Sequence, residues 1–398
     1  MPSVLRKLKN LLRPEALTAA ARAEQARDRA DALDGTDPGC WPVILANLDW
    51  LCRAQDHNAL GDNGVARDFS LMKGWATSYP ETTGYIIPSV IDLAQRLQRE
   101  DLHARARRML DWCVAIQFPE GGFMGGKIDA QPRVPVTFNT GQILLGLSAG
   151  VATYGDAYRD AALRAGAWLR DSLDADGCWR RHPTPFAAPG EKAYETHVAW
   201  GLFEAERVLP GNGFGDAGLR QVAWALSKQQ PNGWFASNCL SNPDSPLTHT
   251  IGYVLRGVVE AWRLTQRADL LAAACRTADG LLPCVDSNGR LPGQLDAQWR
   301  GGVDSVCLTG SVQIAHSLIL LHQAAQRPDY LATAKRLNGF VRRTVRLEGP
   351  LEQRGGVKGS FPVDGSYGRW EYLNWAAKFC IDSQLAEADL EGQRAPAA

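Results

Sequence analysis

Two kinds of helical stretch alternate along this chain. One kind is amphipathic, with Arg, Asp and Glu gathered on one face, and covers residues 41–55, 101–116, 156–173, 214–229, 267–282 and 327–345. The other is built of small and apolar residues with few charges, as in Gly141 to Ala149 or Gly310 to Leu321. Its members begin near Glu81, Asn139, Glu195, His249, Cys307 and Tyr372. An amphipathic helix keeps one face for water, whereas a helix apolar on nearly all sides has to be enclosed. Strict alternation of the two sets predicts an all-α fold, an (α/α)6 toroid with six inner and six outer helices. Val and Ile never alternate with polar residues over a useful length, so strands should be nearly absent.

A repeat underlies the alternation. Trp112, Gln117, Gly121 and Phe123 are matched 56 residues later by Trp168, Leu173, Gly177 and Trp179, and again by Trp224, Gln229, Gly233 and Phe235. Such a period marks a supersecondary unit copied in tandem, each copy too small to bury its apolar face alone. The repeat runs from about Trp41 to Leu385 without a linker-like break, which predicts one toroid domain over residues 36–388. Residues 1–35 are expected to form a basic amphipathic helix and a solvated helix or linker, and residues 389–398 a disordered tail.

Composition narrows the function classes. Lys and Arg number 43 and Asp and Glu 43, so net charge gives no reason to propose a nucleic-acid partner. The nine scattered cysteines, without a CxxC, read as free buried thiols in a reducing compartment. Met1 to Arg13 lacks the unbroken apolar stretch of a secretory signal. Leu5, Leu8 and Leu12 can instead lie on one side of a short helix ringed by cations, suited to peripheral contact with the inner membrane. No run approaches the roughly 20 apolar residues of a membrane span, and the expected location is cytoplasmic. Of the 13 Trp, Trp112, Trp168 and Trp224 share one repeat position and read as structural; Trp75, Trp200, Trp370 and Trp375 fall near the expected mouth of the ring.

In an alternating toroid the loops that lead into the inner helices gather at one mouth, where helix N-termini add positive dipole ends. That geometry nominates Glu81, Glu195, His197, His249, Asp364 and Tyr367 for catalysis. It nominates Tyr79, Tyr85, Asn139, Gln142, Tyr253, Arg256, Asp304, Gln313, Lys358, Arg369, Tyr372 and Trp375 for substrate binding. Glu81 and Glu195, two repeats apart, could serve as general acid and base across the mouth. His197, His249 and Tyr367 could instead abstract and return a proton beside a carboxylate held by Arg256 or Arg369. The stretch Gly355 to Arg369, with five glycines interrupted by Lys358, Asp364, Tyr367 and Arg369, lacks the spacing of a phosphate loop. No side-chain set calls for a metal or another cofactor.

The Gln-x-x-x-Gly-x-aromatic pattern, as Gln117 to Phe123 and Gln229 to Phe235, resembles the prenyltransferase and squalene cyclase repeat superfamily, whose fold is an α/α toroid. The chain departs from it in chemistry. No DxDD acid motif exists, Asp174-Ala175-Asp176-Gly177 being the nearest, and Asp304, Cys307 and His316 only loosely imitate a zinc set. Tyr79 to Tyr85, Asn139 to Gln142, Gly355 to Ser360 and Asn374 to Phe379 resemble toroid proteins encoded with bacterial exopolysaccharide biosynthesis genes. That resemblance implies a role in making or tailoring a surface polysaccharide, with a saccharide or a lipid-linked or nucleotide-linked glycan as substrate. Glucuronyl epimerases, sugar 2-epimerases and uronate-glycan hydrolases and lyases share the ring architecture. An isoprenoid cyclase or transferase, and a non-catalytic glycan-binding or scaffold subunit, are the alternatives.

Overall fold

The computed structural model describes residues 16–30, 33 and 35–396. The first helix among the described residues, α1 (Ala19–Arg29), precedes the ring. Six outer helices follow the amphipathic stretches: α2 (Cys40–Asp56), α4 (Glu100–Ile116), α6 (Arg159–Ser172), α8 (Phe214–Leu226), α10 (Ala268–Leu281) and α12 (Pro328–Thr344). Six inner helices follow the apolar ones: α3 (Pro80–Leu97), α5 (Thr137–Tyr154), α7 (Thr196–Val208), α9 (Thr248–Thr265), α11 (Leu308–Ala325) and α13 (Asn374–Leu390). Each inner helix packs against the next, and α13 returns to α3 to close the ring. Every inner helix also packs on the outer helix that follows it in the chain; α13, the last, packs on α2, the first outer helix. The two ends of the chain therefore join the circle, and the all-α (α/α)6 toroid is the observed fold.

Strands are few and short. β1 (Asp68–Ser70) lies between β2 (Gly74–Trp75) and β5 (Glu371–Leu373), all antiparallel, and β3 (Val306–Cys307) pairs with β4 (Ser360–Phe361). The β1 and β5 pairing ties the loop before the first inner helix to the loop before the last one, across the seam of the ring.

The 56-residue period has a mechanical cause. Gly121, Gly177 and Gly233 each take a positive φ in the turn after an outer helix and press against the backbone carbonyl of Arg164, Arg220 or Arg276 in the next one. A Cβ at these glycines would meet that oxygen at 2.3 to 2.4 Å, so only glycine lets neighbouring repeats approach so closely. The Gln117 and Gln229 amides donate to the carbonyls of Ala161 and Ala273 in the same neighbouring helices. The period also has a fourth copy that the aromatic pattern hides. Gly289, 56 residues after Gly233, presses on the Arg336 carbonyl in the same way. The Trp position of that copy is Gly280, and the Trp299 indole fills the space there, within 2.4 Å of where a Cβ would stand.

The described part of the N-terminal segment is not a solvated linker. Glu24 and Asp28 of α1 are buried, because the Lys358 ammonium lies between them at 2.9 and 2.5 Å and Arg346 also pairs with Glu24. The basic stretch 1–13 lies outside the described residues. At the other end α13 runs to Leu390, and Lys335 pairs with Glu391, so the tail expected from residue 389 begins in ordered structure. Among the described residues no helix is long and apolar enough to cross a membrane. All nine cysteines are unpaired.

Candidate active site

The N-termini of the inner helices open at one end of the ring into a cavity of about 830 Å³. Its floor carries Glu81 from α3, Phe138 and Asn139 from α5, His249, Thr250 and Tyr253 from α9, and Trp375 from α13. Tyr194 joins them from the 3-10 turn Ala193–Glu195 that precedes α7. One wall comes from residues 67–79, which carry β1 and β2; another comes from Tyr367, Arg369, Trp370 and Glu371. The β1 and β5 pairing brings these two walls together.

Two titratable groups on the floor are perturbed in a complementary way. Burial pushes the Glu81 carboxyl up to about 7, against the opposing pull of the Tyr79 hydroxyl and the Arg67 guanidinium. Burial pushes His249 down to about 4, with Gln313 pulling the other way. The Nδ1 of His249 stands 2.7 Å from Gln313 Oε1, so with that oxygen accepting, Nδ1 carries the proton and Nε2 keeps the lone pair. Near neutral pH the one cavity thus holds both a carboxyl able to keep its proton and an imidazole able to accept one. The Tyr253 ring packs against His249 with centroids 4.4 Å apart. The Tyr367 hydroxyl accepts from Trp375 Nε1 at 2.9 Å, which fixes both side chains in the wall.

Arg67 is the central cation. It pairs with Asp68 at 2.5 Å and with Glu371 at 2.9 Å, and its guanidinium lies 5.1 Å from the Trp375 ring centroid. Burial raises the Asp68 carboxyl, with Arg67 opposing. Residue-type reasoning passed over Arg67, Asp68, Lys73, Lys127 and Phe186, all of which line the cavity. The available signal was position, because Arg67 and Asp68 belong to the loop that leads into the first inner helix.

Of the nominated residues, Glu81, His249, Tyr367, Tyr79, Asn139, Tyr253, Arg369 and Trp375 line this one cavity. The others are elsewhere. Glu195 is buried in the wall behind it with Oε2 unpartnered, and burial pushes its carboxyl up to about 8 with Lys192 opposing. His197 lies a layer deeper, its Nδ1 2.7 Å from Gln142 Oε1, its Nε2 sealed and its ring 4.4 Å from Tyr253. Tyr85 and Gln313 belong to the same deeper layer. Asp364 is held by Gln25 and Arg29 of α1, and Lys358 by Glu24 and Asp28, so both clamp α1 to the 355–369 loop rather than face a ligand. Tyr372 is buried with its hydroxyl near Glu24. Arg256 lies farther down the ring, paired with Glu260 at 2.7 Å and stacked 4.3 Å from the Trp200 centroid, so Trp200 is not at the mouth either. Asp304 is exposed outside the cavity. His316 sits beside Arg256, away from the cavity, and the described residues contain no group of three His, Cys, Asp or Glu placed to hold a metal.

No family model matches the chain, and no curated protein matches it in sequence. Solved structures do match in fold. An unsaturated glucuronyl hydrolase specific for heparin superposes with a TM-score of 0.71 at 13% identity, over 90% of this chain and 100% of its own. The cellobiose 2-epimerase of Spirochaeta thermophila gives 0.68 at 14% identity, over 95% and 100%. A GH76 α-mannanase of Bacteroides thetaiotaomicron gives 0.66 at 11% identity, over 91% and 98%. At these identities the likeness establishes the toroid and leaves the reaction to the residues of the site.

Proposed function

We propose that this protein is a carbohydrate-active enzyme that moves protons at a sugar ring by general acid and base catalysis. The observation that carries the reading is the pair Glu81 and His249, perturbed in opposite senses and facing one cavity floored with aromatic rings. In the step envisaged, His249 Nε2 takes a proton from a ring carbon activated by a neighbouring carbonyl or carboxylate. The electron pair of the broken C–H bond is delocalised onto that group, whose growing negative charge faces Arg67. The Glu81 carboxyl then gives a proton to the opposite face of the carbon, inverting it, or to a leaving oxygen, eliminating it. Atoms balance in both outcomes and no oxidant is needed. The glycan-active enzymes among the structural neighbours agree with a saccharide as substrate. A place in exopolysaccharide biosynthesis, on a lipid-linked or nucleotide-linked glycan, remains part of the proposal through the sequence resemblance.

A second reading, glycosidic hydrolysis, draws on Asp68, a cavity-lining carboxylate that could act as base opposite Glu81. Its carboxylate is tied to Arg67, and this disfavours it as a free base. Incubation with uronate-containing and neutral oligosaccharides in D2O, followed by mass spectrometry, tests the choice. Inversion places solvent deuterium on a non-exchangeable carbon position, elimination leaves an unsaturated product one water lighter than the hydrolysis product, and Glu81→Gln or His249→Gln should lower either outcome by roughly 10² to 10⁴. Cleavage to a saturated product without carbon-bound deuterium, lost on Asp68→Asn and retained in His249→Gln, would establish hydrolysis instead.

A further inference from the structure

The cavity has a floor and a rim that differ in kind. The floor is buried and built on helix starts, whereas the rim is formed by loops that carry Met72 and Lys73, Gly126 to Ala130, Thr184 to Phe186, and Arg369 with Trp370. Two independent features of the rim are unusual. The first is charge. Arg67 is answered by Asp68 and Glu371, but Lys73, Lys127 and Arg369 make no ion pair among the described residues. Lys127 only adds to the field at Asp68, and the nearby exposed Asp129 accepts from Thr77. In a chain with 43 basic and 43 acidic residues, the cavity therefore concentrates a surplus of positive charge.

The second feature is Phe186, which is 63% exposed and yet lines the cavity. Its position is built: the ring rests on Gly126, where a Cβ would meet it at 2.7 Å, so one side is seated on backbone while the rest stays open. A large aromatic held in water forgoes burial and offers a flat apolar surface to whatever enters. Trp370, with the Arg369 guanidinium 5.6 Å from its ring centroid, is a second aromatic of the cavity lining. At about 830 Å³ the cavity is larger than a single sugar ring needs and lies toward the upper end of the roughly 300–1,000 Å³ usual for ligand sites.

We propose that the rim is an outer subsite for an anionic sugar residue next to the one that reacts, its ring stacked on Phe186 and its charged group facing Lys73, Lys127 and Arg369. The substrate is then an acidic oligosaccharide rather than a neutral or monomeric sugar. The proposal rests on the saccharide reading of the floor but not on the reaction assigned to it.

Titration calorimetry on the full-length protein tests it with four probes: a uronate tetrasaccharide, a neutral tetrasaccharide, a uronate monosaccharide, and a nucleoside-diphosphate sugar. The acidic tetrasaccharide should bind roughly tenfold or more tightly than the neutral one, an advantage that shrinks as salt rises. Tighter binding of the nucleotide sugar than of the uronate chain would overturn the proposal, because the anion held at the rim would then be a phosphate and not a sugar residue. Lys127→Gln with Arg369→Gln should bring the affinity for the acidic tetrasaccharide down to that for the neutral one and flatten its salt dependence. Phe186→Ala should weaken the tetrasaccharide and not the monosaccharide; all three substitutions are on exposed or half-exposed side chains, and unchanged thermal unfolding confirms an intact fold. Equal affinity for acidic and neutral chains, equal affinity for monomer and tetramer, or no binding of any acidic probe would overturn it. Preferential binding of acidic chains with neither deuterium incorporation nor an unsaturated product would retain the subsite and refute the proton-transfer reaction; incorporation into neutral sugars alone would do the reverse.

Discussion

Glu195→Gln is expected to stabilise the protein, and by an amount that depends on pH in a predictable way. The carboxyl is 5% exposed, lies behind the cavity, and has an oxygen with no partner. Burial pushes it from 4.5 to about 8, so the folded chain keeps this proton where the unfolded chain has lost it. A carboxyl raised in the folded state favours folding fully below 4.5, and that benefit is lost as pH rises toward 8. Each pH unit in this window costs about 1.4 kcal/mol, or about 3 kcal/mol by pH 7. Gln cannot ionise, and so escapes the cost at nearly constant shape. Thermal or urea unfolding of both proteins at pH 4.5, 6, 7 and 8 should give curves that nearly coincide at the lowest pH and diverge steadily upward. A constant offset across the series would mean that the carboxyl titrates normally, and a parallel loss of turnover would return Glu195 to the catalytic site.

Three other outcomes follow from the same geometry. Catalysis that needs neutral His249 and protonated Glu81 should have a bell-shaped kcat/KM profile with limbs near pH 4 and 7, and Glu81→Gln should abolish the upper limb along with most of the activity; a rate still rising beyond pH 8 would refute the assignment. Lys358→Met should cost about 3 to 5 kcal/mol in denaturant unfolding by leaving Asp28 buried without a cation and Glu24 with Arg346 alone, and adding Glu24→Gln and Asp28→Asn should recover much of it. Gly177→Ala should destabilise strongly, since its Cβ would meet the Arg220 carbonyl at 2.4 Å at a φ of +91°, whereas at Gly61, where a Cβ meets nothing within 4 Å, only the backbone cost of about 1 kcal/mol should appear.

The ring was legible because its two helix types face different surroundings. An outer helix must show charge on one face and an inner helix cannot, and this contrast is written into every 25 to 30 residues of the chain. Observed and expected helix starts accordingly differ by no more than three residues, as with α6 at Arg159 against an expected 156. The fourth repeat was hidden because its bulky residue had moved. Trp299 reaches from a loop into the space that Trp112, Trp168 and Trp224 fill from a helix, so volume is kept at that place while the residue type is not. The role of α1 was hidden for a related reason. Glu24 and Asp28 read as solvent-facing charges until Lys358, more than 300 residues later, supplies a buried partner.

The site was half legible, and helical register separates the half that was found from the half that was missed. The second residues of α3, α5, α9 and α13 are Glu81, Phe138, His249 and Trp375, and all four line the cavity. One turn further the sixth residues are Tyr85, Gln142, Tyr253 and Phe379, joined by Gln313 of α11, and these form the layer beneath, of which Tyr253 also reaches the cavity floor. Gln142 and Gln313 hold the Nδ1 atoms of His197 and His249 from that layer, so residues expected to touch substrate orient imidazoles instead. The counterpart of Glu81 in α7 is His197, not Glu195. Glu195 stands two residues earlier, roughly 200° around the helix axis, which turns it out of the ring and into the wall. Proximity to a helix start was therefore too coarse a criterion: the second residue reaches the cavity in α3, α5, α9 and α13, joined by the third in α5 and α9, whereas in α7 the second residue, His197, lies a layer deeper. Loop residues have no such register, which is why Arg67 and Phe186 became visible only once the strand pairing and the glycine seat had placed them.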